Sequence, residues 1–322
     1  MSVLTDLFTN IANAIREKTG SQATIVANDF PAAIAGIPSS GTKMELVSGT
    51  TSLSNAFKKN NTATIENVMK TAPDIDTSNI TNMSSMFYNC NQLVSVPEYD
   101  TSSVIYMNNM FYGCTSLTSA PSFDLSSATN MYGMFEGCSG LITVSDFDAS
   151  AATDMSFMFK NCSSLATVSD LDTSAAISMP GMFQGCTSLT TTPDIDTSSA
   201  TDMTDMFHGC TALTTALQYD TADVTSMYGM FQGCTALTTV PILDTSSVTS
   251  LTYMFDGCAN LSTASLNNIL LMCANVGPNY DSPKVLFYEH ILSQDDYPIS
   301  VLEALPNYQD FINAGWTLEG AT

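Results

Sequence analysis

Residues 134–138 read MFEGC, and the stretch decides the fold because it is not alone. The chain reads MFYGC at 110–114 and MFKNC at 158–162, each 24 residues away. The beat sounds eight times, with a cysteine at Cys90, Cys114, Cys138, Cys162, Cys186, Cys210, Cys234 and Cys258. Aligned on these cysteines, eight units run from Asp76 to Asn267 without insertion or deletion. Their shared pattern is D-T-S-S-[VA]-T-x-M-x-x-M-F-x-[GN]-C-x-x-L-x-[TS]-[VA]-x-x-apolar, numbered below from its aspartate as position 1.

A fixed period of roughly 20–29 residues marks a leucine-rich-repeat-like solenoid. The expected fold class is therefore an α/β repeat, each 24-residue coil contributing a short parallel strand and a short helix. Positions 8, 11 and 12, with 15 just beyond, would share one helical face; in the third unit these are Met131, Met134, Phe135 and Cys138. Position 14 is always glycine or asparagine, the two residues that accept the left-handed end of a helix. Position 7 is mostly Asn, Asp or Ser, which suits an N-cap. These limits predict a helix over positions 8–13, and Pro180 at position 9 would then fall harmlessly in its first turn. After the cysteine, a leucine, two small polar residues and a second apolar residue (Leu237 and Val240, for instance) predict a short strand with leucine inward in a parallel sheet. Eight such coils at about 4.8 Å would build a rod of about 40 Å.

Composition narrows the partners. The chain has 322 residues, 44% of them hydrophobic, and carries 8 basic against 31 acidic residues for a formal charge of −23. Such a surface repels phosphate backbones and anionic lipid, so neither nucleic acid nor membrane is an expected partner. No apolar run approaches the roughly 20 residues of a membrane helix. The opening MSVLTDLFTNIANAIREKTG lacks the basic and apolar regions of a secretory signal.

The units, for example DTSSVTSLTYMFDGCANLSTA (residues 244–264), resemble BspA-like leucine-rich repeats, known from bacterial surface adhesins, mycoplasma surface lipoproteins and phage tail proteins. That resemblance implies extracellular recognition without catalysis. Residues 11–37 resemble the helical segment that opens tail-fibre and receptor-binding proteins of phages infecting Gram-positive bacteria, and FINAGWTLEG (residues 311–320) resembles their closing segment. Four regions follow: a helical attachment or oligomerisation segment (1–40), an N-terminal cap with a degenerate repeat (41–75), the eight repeats (76–267) and a C-terminal cap (268–322). In the degenerate repeat Leu53, Ala56 and Phe57 replace Met, Met and Phe, and six extra residues precede Pro73. The C-terminal cap is expected to hold a helix in LNNILLMCANV, a strand in KVLFY and a further helical stretch interrupted at Pro306.

Three constellations could carry chemistry. The cysteines lie beside the Met-Phe face, without Cys-x-x-Cys or nearby histidine, which favours buried thiols over zinc; stacked disulfides are the alternative. Cys273, out of register, and Trp316, the single tryptophan, read as cap packing. The position-1 aspartates (Asp76, Asp100, Asp124, Asp148, Asp172, Asp196, Asp220, Asp244) suit Asx-turns, or a row of weak calcium sites; no other cofactor is expected. Two histidines, His208 and His290, give catalysis little to work with, and an active site should break a repeat rather than recur in it.

What varies is the outer face, positions 7, 9, 10 and 13, where Tyr88, Tyr106, Tyr112, Tyr132, Phe157, Tyr228 and Tyr253 are the candidates for recognition or subunit contact. The leading expectation is a non-enzymatic phage virion protein of the tail-fibre or receptor-binding type. It would bind a host-surface glycan or protein, touch other virion proteins and form a homo-oligomer such as a trimer. A structural or decorating virion subunit comes next, and a bacterial surface adhesin third.

Overall fold

A computed structural model of the chain describes residues 50–58, 70–144, 147–169, 171–280, 283–287 and 299–319. The expected N-terminal helical segment lies outside the described residues. From residue 70 to 262 the chain winds as a solenoid whose successive coils are joined by parallel bridges. One row of bridges joins position 7 to position 7 (Asn82↔Tyr106, Tyr106↔Asn130, Asn130↔Asp154), and another joins position 20 to position 20 (Thr191↔Thr215, Thr215↔Thr239). Among the described residues, the second row widens into paired strands at Thr143–Val144 (β1) and Thr167–Val168 (β2) alone. The first bridge, Ser52↔Asn82, is longer in sequence than the rest, which accommodates the six extra residues before Pro73.

The expected helix over positions 8–13 is not formed. Position 10 is left-handed in all eight coils (φ 55–59°), whether it is Ser85, Asn109, Gly133, Phe157, Gly181, Asp205, Gly229 or Tyr253. A right-handed helix cannot pass through such a residue. Position 14 is left-handed as well (φ 59–78°), as its Gly/Asn restriction implies, but it closes a chain of turns rather than a helix. Between these two points the backbone divides its donors. In the third unit Met134, Glu136 and Cys138 donate three residues back, to Met131, Gly133 and Phe135. Met131, Gly133, Phe135 and Gly137 donate instead to the next coil, at Asp154, Ser156, Met158 and Lys160, over 2.7–2.9 Å. An α-helix would keep such donors for its own carbonyls four residues back. Here half of them bind one coil to the next.

The side chains follow that backbone. Phe57, Phe87, Phe111, Phe135, Phe159, Phe183, Phe207, Phe231 and Phe255 form one stack, with centroids 5.4–5.7 Å apart and planes within 3–14°. The position-11 methionines and position-18 leucines are buried around it. Each repeat cysteine is a buried free thiol that donates from Sγ to the position-12 carbonyl of the coil before, Cys138 to Phe111 at 3.1 Å for instance. That carbonyl already accepts the N–H of its own coil's cysteine, here Cys114. Cysteine thus serves as a small apolar side chain with one weak donor.

Position 2 adds a polar stitch inside the core. Thr197 is buried and donates to the Asp220 carbonyl at 2.7 Å, and Thr77, Thr101, Thr173 and Thr221 do the same one coil on. Leu125 and Ala149 interrupt this row. The last coil is closed by helix α1 (Thr263–Ala274), capped by Ser262, whose side chain accepts from the Ser265 N–H. α1 supplies the partners that a further coil would offer: Ser265 Oγ accepts from Val240 N–H, and the Met272 carbonyl from Thr245 Oγ1. Beyond it, β3 (Val285–Phe287) pairs in parallel with β4 (Thr317–Glu319). Between them in the chain come α2 (Ser300–Glu303) and α3 (Tyr308–Asn313), on either side of Pro306. Trp316 is 3% exposed and packs against Tyr280 and Phe311.

Burial pushes the thiols of Cys138, Cys210, Cys258 and Cys273 up to about 12, and those of Cys114, Cys162, Cys186 and Cys234 up as well. An unfolded thiol ionises near 8.5. The folded chain therefore keeps protons that the unfolded chain loses, and stability present at neutral pH drains away between about pH 9 and 12, by about 1.4 kcal/mol per pH unit for each such thiol. The melting temperature is expected to be level below about pH 8 and to fall steeply above about pH 9. A thiol reagent should count none of the nine cysteines in the native protein and all nine in denaturant. Fast native labelling, or a melting temperature level to about pH 11, would contradict this account of the core.

Candidate recognition ridge

The turns from position 7 to 14 form a ridge along one side of the solenoid. In most coils their entry is set by the position-7 side chain, which accepts the backbone N–H two residues on: Asn82 from Ser84, Asn130 from Tyr132, Asp154 from Ser156, Asp202 from Thr204; Tyr106 is an exception. The expected capping chemistry is present, but it opens a turn. Pro180 lacks that N–H, and there Ser178 Oγ pairs with Ser156 Oγ at 3.0 Å.

The candidate aromatics fall on this ridge in three pairs and one single. Tyr88 and Tyr112, both at position 13, stack 4.4 Å apart at 2°, with the Lys58 ammonium 4.3 Å from the Tyr88 ring. Tyr132 meets Phe157 edge to face at 5.6 Å, with Lys160 over the Phe157 ring. Tyr228 meets Tyr253 in the same way, at 5.6 Å and 87°. Tyr106, at position 7, stands apart and is 48% exposed. The two edge-to-face pairs join position 9 of one coil to position 10 of the next, and each makes an open aromatic corner.

Position 10 obeys a rule that the sequence reading missed. From Asn109 to Tyr253 a side chain alternates with glycine: Asn109, Gly133, Phe157, Gly181, Asp205, Gly229, Tyr253. Asn109, Phe157 and Asp205 each lean over the position-10 glycine of the following coil. A Cβ on Gly181 would lie 2.5 Å from the Phe157 ring, one on Gly133 would lie 2.7 Å from Asn109 Oδ1, and one on Gly229 would meet Asp205 Oδ1. The alternating glycines were the available signal. On a short helix all of these positions would turn outward alike, which hides their alternation.

The other constellations resolve locally. All eight position-1 aspartates accept the backbone N–H two residues on, at 2.9–3.2 Å, in Asx-turns. The backbone N–H and hydroxyl of the serine two residues on hold the carboxyls of Asp124, Asp172, Asp196 and Asp244 below their usual range. Among the described residues no three His, Cys, Asp or Glu side chains gather in a metal-binding group. His208 pairs with Asp205 at 3.3 Å, and His290 lies outside the described residues.

This architecture is that of a leucine-rich-repeat solenoid. Residues 51–168 and 153–269 match the family described as "Mycoplasma protein of unknown function, DUF285", and since the two matches together span well over half of the chain, it belongs to that family. No curated protein matches the sequence. Similar solved structures include a leucine-rich-repeat protein of T. pallidum, at 20% identity over 56% of this chain and 82% of that one, with a TM-score of 0.39. Another, from Eubacterium ventriosum, is 16% identical over 53% of this chain and 52% of that one, with a TM-score of 0.32.

The packing of the ridge gives a direct expectation. Gly181→Ala should cost about 1–2 kcal/mol, because alanine disfavours the left-handed region and its methyl meets Phe157. Combined with Phe157→Ala, the loss should be less than the sum of the two single losses, as expected for residues in contact. Denaturant titration of the four proteins measures this, and strict additivity would contradict the contact.

Proposed function

We propose that this chain is a recognition protein, whose solenoid presents the ridge to a partner outside the cell that made it and performs no chemistry itself. One observation carries the reading: the inward positions hardly change from coil to coil, while aromatic residues gather at the outward positions of one ridge. Aromatic side chains offer large contact area at low entropic cost, which suits recognition surfaces.

The finer placement is a tail-fibre or receptor-binding component of a phage virion. It is supported by the resemblance of the repeats and of residues 11–37 and 311–320 to such proteins. The partners would be a host-surface receptor, neighbouring virion proteins and other copies of the chain. A bacterial surface adhesin is the second reading, favoured by membership of a family described from Mycoplasma.

Labelled full-length protein, added to intact cells of the strain that encodes it and of that strain's relatives, is expected to bind them saturably. An antibody against the ridge should block that binding, and should block phage adsorption if the protein is a virion component. Cells left unlabelled across the panel would overturn the recognition reading. Binding without any effect on adsorption would favour the adhesin.

A further inference from the structure

The two aromatic corners are copies of one another. Tyr228 stands four coils after Tyr132, and Tyr253 four coils after Phe157, at the same positions of their units and in the same edge-to-face arrangement. Four strand spacings place the corners about 20 Å apart on one ridge. Two sites of like geometry on one ridge fit a ligand that repeats along its own length. Most globular protein surfaces offer no such translation, whereas a polymer of one repeating unit does.

The chemistry of the corners narrows the polymer. Tyr132, Tyr228 and Tyr253 are 38%, 38% and 44% exposed, so ring surface is available at both corners. The face of an aromatic ring is electron-rich, and it complements the weakly positive C–H face of a pyranose ring. Beside the first corner, Gln184 Oε1 is buried and receives no hydrogen bond. It lies 3.4 Å from where a Cβ of Gly181 would stand, the same point that the Phe157 ring approaches to 2.5 Å. With almost no accessible surface, it lies out of reach of a ligand on the ridge, so the aromatic rings alone form the contact surface of the corner. The formal charge of −23 disfavours a polyanion.

We propose that the ridge binds a linear, uncharged glycan lengthwise, seating pyranose rings in the Tyr132/Phe157 and Tyr228/Tyr253 corners. This deepens the recognition reading and rests on it.

The test uses the full-length chain and two treatments of the cells it labels. Periodate, which cleaves sugar diols, should abolish binding, and protease should leave it intact. Neutral polysaccharide released from those cells should compete, with long chains more potent than short ones. Tyr132→Ala and Tyr228→Ala should each weaken binding about tenfold, and the double variant should lose more than either, as two linked sites require. Ile142→Ser, exposed on a different face, should bind like the parent and shows that the preparation is folded. Binding that survives periodate but not protease would overturn the glycan proposal and leave the recognition reading standing. Single variants that bind like the parent would also overturn it. Absence of cell binding would remove both readings.

Discussion

The structure depends on one division of labour in the backbone. In every repeat coil but the last, alternate N–H groups of the position 8–14 turns reach the next coil, while those between them close turns within their own coil. The division goes with left-handed residues at positions 10 and 14, which interrupt any right-handed helix that would claim those donors for its own carbonyls. Side-chain burial alone would tolerate slippage of one coil against another; the backbone ladder fixes the register. With the register fixed, phenylalanine meets phenylalanine, each thiol meets the same carbonyl, and each position-2 threonine meets the same carbonyl one coil on.

The same constraint explains where variation is allowed. Inward positions are held by contacts with both neighbouring coils, and buried space that is close-packed leaves little room for change. Ridge side chains are free to differ, subject to the glycine that must follow a bulky position-10 residue. Tyr132 and Tyr228 occupy position 9, outside that restriction, and reach across to position 10 of the next coil. The ridge can therefore change its chemistry coil by coil without disturbing the core, as a recognition surface requires.

Much of the fold was legible in the sequence because a strict period reports contacts directly. The Met-Phe-Cys-Leu core, the Asx-turn at Asp-Thr-Ser and the small polar residue opening most ridge turns could all be read from residue type and spacing. The helix could not be excluded that way. Apolar residues at positions 8, 11, 12 and 15 have helical spacing, and the residue that breaks the helix is serine, asparagine, phenylalanine, aspartate or tyrosine in five of the eight coils. Tertiary hydrogen bonds to the next coil overrode local preference there. The candidate aromatics were legible as outward residues. Their pairing was not, because it joins position 9 of one coil to position 10 of the next, and that offset becomes visible only once the coils are stacked.

The most direct test of the ladder and its two-coil alternation is the stability of chains lacking whole coils. Deleting the coil Asp172–Ile195 would set Phe157 against Asp205, where the structure provides a glycine. Deleting the two coils Asp172–Tyr219 would set Phe157 against Gly229 and keep the alternation. In thermal and denaturant unfolding, the shorter protein is predicted to be the more stable of the two, although it has lost twice as much core. Stability that falls simply with the number of residues removed would contradict the account.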